Sequence, residues 1–287
     1  MVSHMKQLRS SRFRTSLWLP LLTTAVLAAQ SGFGLAHRAA VVEDTNQAAT
    51  LSILAYNIRH GAGNDDIVDL SRAASVINAL DPDIVTLQEV DSAVDRTEGV
   101  DQATVLGELT GMGSVFGAFF DYQGGRYGMA ILSDLPIVSH ENYRLPDGLE
   151  PRTALATKIR LTESSDEIIV IGIHLYATAE ERYAQASRLI EILREETTPI
   201  ILAGDFNSTP DSEVVDLFKQ AGWHVPDKGE DHLTFRSDDP DREIDYVMVR
   251  PKERFEIDKL DVIDEPLVSD HRPVLLQLRL LELDQDD

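Results

Sequence analysis

No cysteine occurs in the 287 residues, so neither a disulfide framework, a thiolate metal site nor a cysteine-linked lipid anchor is available. Stability has to come from a hydrophobic core, and the chain is long enough to build one. Aromatics are sparse at 6%, and cations are outnumbered, 26 Lys and Arg against 49 Asp and Glu. A formal net charge of -23 repels polyanions, whereas nucleic-acid binders usually present a basic face. Internal repeats and low-complexity tracts are absent too, which excludes solenoids and fibrous classes. The chain also lacks any apolar run of the roughly 20 residues needed to cross a bilayer as a helix.

A shorter apolar run is present, Leu17 to Ala29, preceded by Lys6, Arg9, Arg12 and Arg14 without an acid and followed by Gly34 and Ala36. Basic, apolar and small residues in that order predict a secretion signal over residues 1–36, with an uncleaved membrane anchor as the alternative. Its loss would remove four cations and no acid, leaving a net charge of -27 and an exported, periplasmic or extracellular protein. Residues 37–49 read as a linker, 50–282 as one folded domain, and 283–287 as an acidic tail.

Within that domain, Leu51 to Tyr56 predicts a buried strand, and Leu70, Ala73, Ala74, Ile77 and Leu80 repeat at helical spacing until Asp81-Pro82. Asp83 to Leu87 predicts a second strand and Gln102 to Leu109 a second helix. Four further strands follow, Tyr127 to Leu132, Ile137 to Tyr143, Ala154 to Leu161 and Glu167 to Ile173. Then come a helix from Ala179 to Glu196, a strand from Thr198 to Ala203 and a helix from Ser212 to Ala221. Glu243 to Val249 and Pro273 to Leu280 close the domain as strands. Strands outnumber helices, and the helices are spread through the chain, as expected for helices covering two packed sheets.

Polar residues recur at the ends of these strands, where α/β folds place ligands. They are Asn57, Gln88-Glu89, His174, Asp205 and Asn207. Singly, each fits a turn or a solvated surface. Together they suggest a site. Glu89, with Asn57 and a later carboxylate, Asp270, suits Mg²⁺, which takes one or two carboxylates and keeps several waters. In Gly204-Asp205-Phe206-Asn207 an acid able to orient or deprotonate water sits two residues from an amide able to donate to a phosphoryl oxygen. Asp245, an acid in the apolar Ile244-Asp245-Tyr246, needs a buried partner. His271 in Ser269-Asp270-His271 is the candidate, because a carboxylate fixes the imidazole tautomer and raises its basicity.

These motifs, Tyr56-Asn57-Ile58, Leu87-Gln88-Glu89-Val90, Tyr127 to Ser133, His174, Gly204 to Asn207, Ile244 to Tyr246 and Ser269 to His271, resemble in content and order the endonuclease/exonuclease/phosphatase superfamily. That group includes deoxyribonuclease I, abasic-site endonucleases, neutral sphingomyelinases, inositol-polyphosphate 5-phosphatases and deadenylases. The resemblance runs from Leu51 to about Leu280 and points to a small secreted bacterial-type member. It implies an α/β fold, a four-layer α/β/β/α sandwich of two mainly antiparallel sheets packed face to face with helices outside. It also implies a divalent-metal-dependent phosphoester hydrolase. Asn57, Glu89 and Asp270 would surround Mg²⁺, with Mn²⁺ or Ca²⁺ as alternatives. His174 and Asn207 would hold the phosphate, Asp205 would position or activate water, and Asp245 would orient His271 against the phosphate. Arg152, in Pro151-Arg152-Thr153-Ala154, and Tyr127 are further candidates for the phosphate, and Arg126 is a weaker one. Ser269 has no assigned role.

The stretch from Gly172 to Ala177 lacks the further histidine or asparagine that several branches place there, and long insertions able to grip DNA are missing. With the acidic balance, this favours a phosphodiesterase or phosphatase on a small or lipid-linked phosphoester, with membrane contact only through the signal or the substrate. A secreted nuclease and a catalytically inactive binding module of the same fold are the alternatives.

Overall fold

The computed structural model describes residues 49–161 and 166–281. The expected signal, nearly all of the 37–49 linker and the 283–287 tail lie outside the described residues.

The chain forms β1 (Ala49–Asn57), α1 (Leu70–Leu80), β2 (Ile84–Ser92), α2 (Gln102–Thr110), β3 (Gly113–Tyr122), β4 (Gly125–Ser133), β5 (Ile137–Arg144) and β6 (Thr153–Arg160). It continues with β7 (Glu167–His174), α3 (Ala179–Ile192), β8 (Ile200–Asp205), α4 (Glu213–Gln220), β9 (Asp245–Arg250), β10 (Phe255–Val262) and β11 (Val274–Leu280). One sheet has the order β10-β11-β1-β2-β4-β3, and the other β5-β6-β7-β8-β9. β1 with β2 and β7 with β8 run parallel, while the remaining neighbours are antiparallel.

Alternation along each strand explains the layering. In β8, Ile201 and Ala203 face the other sheet, packing in one core with Ile53, Met129, Ile131, Val170 and Leu276. Their neighbours Ile200 and Leu202 face outward, into a core shared with Ala186 and Leu189 of α3 and Val215 and Phe218 of α4. A third core joins Leu54, Val85 and Leu87 to Ala73 and Ile77 of α1 and Leu106 of α2. Strands apolar on both faces are thus sandwiched between a sheet and helices, giving the expected four-layer α/β/β/α sandwich.

Local signals set most boundaries. Asp69 caps α1 by accepting from Ser71 N, and the helix ends at Asp81, a left-handed residue before Pro82. Ser212 caps α4 by accepting from Val215 N. α3 stops at Ile192, short of the predicted end at Glu196. β3 and β10 carry no clear sequence signal. Both are edge strands, and bulges between Ala118 and Phe120 and between Ile257 and Lys259 break their alternation.

The topology gathers the polar strand ends. β1 ends at Asn57, opposite Gln88 of the parallel β2, which runs past its predicted end at Leu87 as far as Ser92. On the other sheet His174 pairs with Asp205, and Asp205 with Asp245. Gly204 is what allows that register to continue. Its φ is +140°, and an added Cβ would lie 2.1 Å from the Ile173 carbonyl oxygen.

Candidate active site

Glu89 sits at a bulge in β2, where the pairing with β4 shifts between Gln88 and Val90, and its φ of 59° is unusual for a side-chain-bearing residue. A bulge re-aims one side chain while the strand carries on, and such strained residues concentrate at functional sites. Arg59 and His60, just past β1, also have positive φ, 46° and 47°. Asn57 Oδ1 accepts from Arg59 N at 3.1 Å and closes that turn.

This bond also sets the orientation of the Asn57 amide. Its Nδ2 lies 3.2 Å from Glu89 Oε1, 3.3 Å from Asp205 Oδ2 and 3.4 Å from His271 Nε2. Asn57 was expected to surround a metal through oxygen. In this rotamer its amide nitrogen faces the carboxylates of Glu89 and Asp205, while its oxygen accepts one hydrogen bond from Arg59 N and keeps a second lone pair. Glu89 and Asp270 are the carboxylates that bear on one another at this point, each raising the charge density the other meets. Asp270 stands 4.0 Å from Arg59 Nε, and its side chain is 31% exposed.

Ser269, without an expected role, is fully buried and acts as a clip. Its hydroxyl donates to the Asn57 carbonyl at 2.7 Å and accepts from His271 N at 3.3 Å, tying the segment before β11 to the end of β1. Ser237 extends the clip. Its Oγ donates to the Ser269 carbonyl at 2.5 Å and its N–H to the Asp270 carbonyl at 2.8 Å. Sequence reasoning missed Ser237 and Thr234, which lie in a polar loop without periodicity. Thr234 Oγ1 accepts from the backbone N–H of Ile244 and Asp245.

Asp245 and His271 meet as expected. His271 Nδ1 is 3.0 Å from Asp245 Oδ2 and 3.2 Å from Oδ1, both side chains being buried. His271 Nε2 faces Asp205 Oδ2 at 3.8 Å, and His174 Nε2 lies 3.4 Å from the same oxygen. Phe235 tilts against the His271 ring at 4.8 Å between centroids. Burial works against a charge on His271, yet Asp245, by charge and hydrogen bond, with Asp205 and Asp270, raises its pKa from 6.5 to about 10. Burial, with Asp245 next, lifts Asp205 from 3.8 to about 7, opposed by His271. Near neutrality the cluster therefore keeps a proton on the imidazole, between two carboxylates.

His174 behaves oppositely. Burial first, then the charges of Arg152 and His271, hold it well below 6.5, so it is neutral. In an unfolded chain this imidazole binds a proton near 6.5, and in the fold it does not. Its contribution to stability is thus intact above about pH 6.5 and lost as the pH falls below that value. Urea titrations between pH 7 and 5 are expected to show a falling unfolding free energy, and His174→Gln a shallower fall. An unchanged slope in the variant would refute the assignment.

Asn207, with φ of 48°, donates from Nδ2 to the Leu175 carbonyl at 2.8 Å and from its N–H to Asp205 Oδ1 at 2.8 Å. It thus locks the turn after β8 to the end of β7. Tyr127, on β4 opposite Asp91, packs edge-on against Phe119 at 5.6 Å, and burial and then Glu89 raise its pKa well above 10. Arg152 is 4% exposed, with its guanidinium over Phe119 at 4.8 Å and Tyr176 at 5.3 Å. Arg126 is exposed over Phe116 and lines a separate surface hollow with Asp121 and Gln123.

Chemically, the cluster combines half-buried carboxylates at Glu89 and Asp270 with a buried acid–base group. Burial raises the pKa of Glu89, and Asp270 repels it further, against the opposing effects of His271 and Asn57. A cation beside Glu89 and Asp270 would relieve that repulsion, so the donor set fits a hard divalent ion. Asp205, Asp245 and His271, with donor atoms within 4.8 Å of one another, form a second group that could hold a metal.

Two facing sheets flanked by helices, with acids, amides and histidines gathered at one end, form an α/β sandwich with a polar site at its edge. The model of the endonuclease/exonuclease/phosphatase family matches residues 54–271, and the chain belongs to that family, whose members are phosphoester hydrolases and generally depend on a divalent metal. A UPF0294 protein of Vibrio cholerae serotype O1 is 30% identical over 141 residues, 46% of this chain and 46% of that protein, so the match spans under half of either. Among solved structures, an endonuclease/exonuclease/phosphatase family protein from Bacteroides thetaiotaomicron superposes with a TM-score of 0.69 at 20% identity, over 83% of this chain and 100% of that one. A mannosyl-6-phosphatase of the same organism superposes with a TM-score of 0.65 at 20% identity, over 79% and 99%. At these identities the structures speak for the fold.

Proposed function

We propose that this protein is an exported, Mg²⁺-dependent phosphoesterase acting on a small or lipid-linked phosphate ester. The observation that carries the reading is the convergence, at one end of the sandwich, of Glu89 and Asp270 beside the buried Asp205–His271–Asp245 group. Glu89 and Asp270 would hold the ion, which as a Lewis acid withdraws charge from a phosphoryl oxygen. Asn57 keeps Glu89 and Asp205 in register by donating to both. Asp205, close to neutrality in its pKa, accepts the proton of the attacking water. His271, protonated near neutral pH, faces the phosphate as an imidazolium that stabilises developing charge or protonates the leaving oxygen. Asp245 holds its ring, and His174 and Asn207 shape the phosphate pocket. A net charge of -23 supports a compact substrate over long nucleic acid, and the basic-then-apolar start of the chain supports export.

Supercoiled plasmid, bis-p-nitrophenyl phosphate, sphingomyelin and inositol phosphates, each tested with Mg²⁺, separate the alternatives. Turnover of one or more non-nucleic-acid esters with intact plasmid is expected. Plasmid nicking at low enzyme concentration would replace this reading with a nuclease.

A further inference from the structure

Past the Glu89 bulge, β2 runs on to Ser92 and carries a side-chain cluster that the proposed chemistry does not use. Asp91, whose side chain is fully buried, holds Arg96 bidentately, with Nε 2.8 Å from Oδ2 and Nη2 2.8 Å from Oδ1. Thr97 Oγ1 donates to the same carboxylate at 3.2 Å. The guanidinium lies over the rings of Tyr122 and Tyr127, at 5.0 and 5.3 Å from their centroids. Two hydrogen bonds and two rings fix its plane. Its remaining nitrogen, Nη1, has no hydrogen-bond partner among the described residues and is open to solvent.

Gln102, fully buried, brings a second group to the same place. Its Oε1 accepts from Asp91 N at 2.9 Å and its Nε2 donates to the His60 carbonyl at 2.7 Å, tying the turn after β1 to β2 just beyond Glu89. Neither ring nitrogen of His60 has a hydrogen-bond partner among the described residues, and only Nδ1 is closed to solvent. A row of rings links this corner to the rest of the site. Tyr127 packs on Phe119 at 5.6 Å, and Phe119 on His174 at 6.2 Å.

The corner is polar without being charged. Asp91 offsets the Arg96 cation while leaving Nη1–H free, and burial, then Arg96, lowers the His60 pKa from 6.5 to about 4, so the imidazole is neutral. A second anion would gain little from a guanidinium already bound to a carboxylate, and an apolar group would leave both side chains unpaired. A neutral hydroxyl suits them, accepting from the guanidinium and exchanging a hydrogen bond with the imidazole. We propose that Arg96 and His60 bind hydroxyl groups of the alcohol part of the ester, so that the site selects phosphates of uncharged, polyhydroxylated alcohols over apolar ones. This rests on the proposed function for the position of the phosphate, and it deepens that reading by naming the leaving group.

Equilibrium titration of the full chain in Mg²⁺ buffer with inositol monophosphate and cyclohexyl phosphate tests the proposal without requiring turnover, because the two share a ring and differ in its hydroxyls. Wild type should bind inositol monophosphate at least about tenfold more tightly. Arg96→Lys keeps a cation for Asp91 but removes Nη1, and His60→Asn suits the φ of 47° at that turn, so both spare the fold. Each should cut the ratio of the two affinities severalfold. Inositol 1,4-bisphosphate should bind wild type no more tightly than the monophosphate. Equal affinity of wild type for the monophosphate and cyclohexyl phosphate, binding of neither, tighter binding of the bisphosphate, or variants that keep the wild-type ratio would overturn the proposal. Absence of hydrolysis despite a preference that depends on Arg96 and His60 would support the subsite and count against the proposed function.

Discussion

Replacing His271 by alanine is expected to lower kcat by roughly a thousandfold or more while changing KM by a few-fold at most, because the lost interaction belongs to the transition state. The expectation follows from the pairing of the ring. Asp245 holds Nδ1 at 3.0 Å and keeps Nε2 directed toward Asp205, where the proposed function puts the phosphate. Asp245→Asn separates orientation from presence. The ring stays, but its charged form loses the carboxylate that raises its pKa to about 10. Removing an anion lowers an imidazole pKa, so the alkaline limb of the pH–rate profile should move to lower pH, with kcat reduced by about a hundredfold. If Asp245→Asn kept the wild-type profile, the Asp245–His271 pairing would be structural only.

Glu89→Gln should have the second-largest effect, and two measurements should move in opposite directions. Glu89 is a carboxylate whose pKa is raised by burial and by the neighbouring Asp270. Making it neutral removes that repulsion, so the metal-free variant should unfold at a higher temperature than metal-free wild type, a gain on the order of 1 kcal/mol. The same change takes away one of two ion-binding carboxylates, so affinity for Mg²⁺ or Mn²⁺ should drop by about a hundredfold and turnover with it. Stability gained with function lost is the usual signature of a strained functional site. A variant that is less stable without metal and binds Mn²⁺ normally would place the ion elsewhere, with the Asp205, Asp245 and His271 group the next candidate.

Much of this was legible in the residues, for identifiable reasons. Central strands such as β8 are apolar on both faces and short, and α1 shows its end in Asp81-Pro82, while its Asp69 cap emerged only in the structure. Asn57, His174, Asp205 and Asp245 sit at strand ends, where a polar residue interrupts an apolar run, whereas Glu89 lies inside β2 at its bulge. Parallel and antiparallel pairing then brings residues as distant as Asn57 and His271 to 3.4 Å. What stayed hidden depends on backbone detail. The bulge that turns Glu89 toward the site, the amide orientation imposed on Asn57 by Arg59 N, and the buried serine clip of Ser237 and Ser269 leave no periodic trace. Edge strands β3 and β10 are irregular and half solvated, so their pattern was not distinct from a loop.

The motif around Ser269-Asp270-His271 carries the largest share of the account. Its serine ties the segment before β11 to the end of β1, and under the proposed function its aspartate would hold the ion and its histidine would face the phosphate. The measurement that bears on this most directly is the initial rate of aryl phosphate ester hydrolysis by the wild-type protein, before and after excess chelator and again after added Mg²⁺. The account predicts turnover that disappears on chelation and returns with Mg²⁺. Undiminished hydrolysis in excess chelator would contradict it.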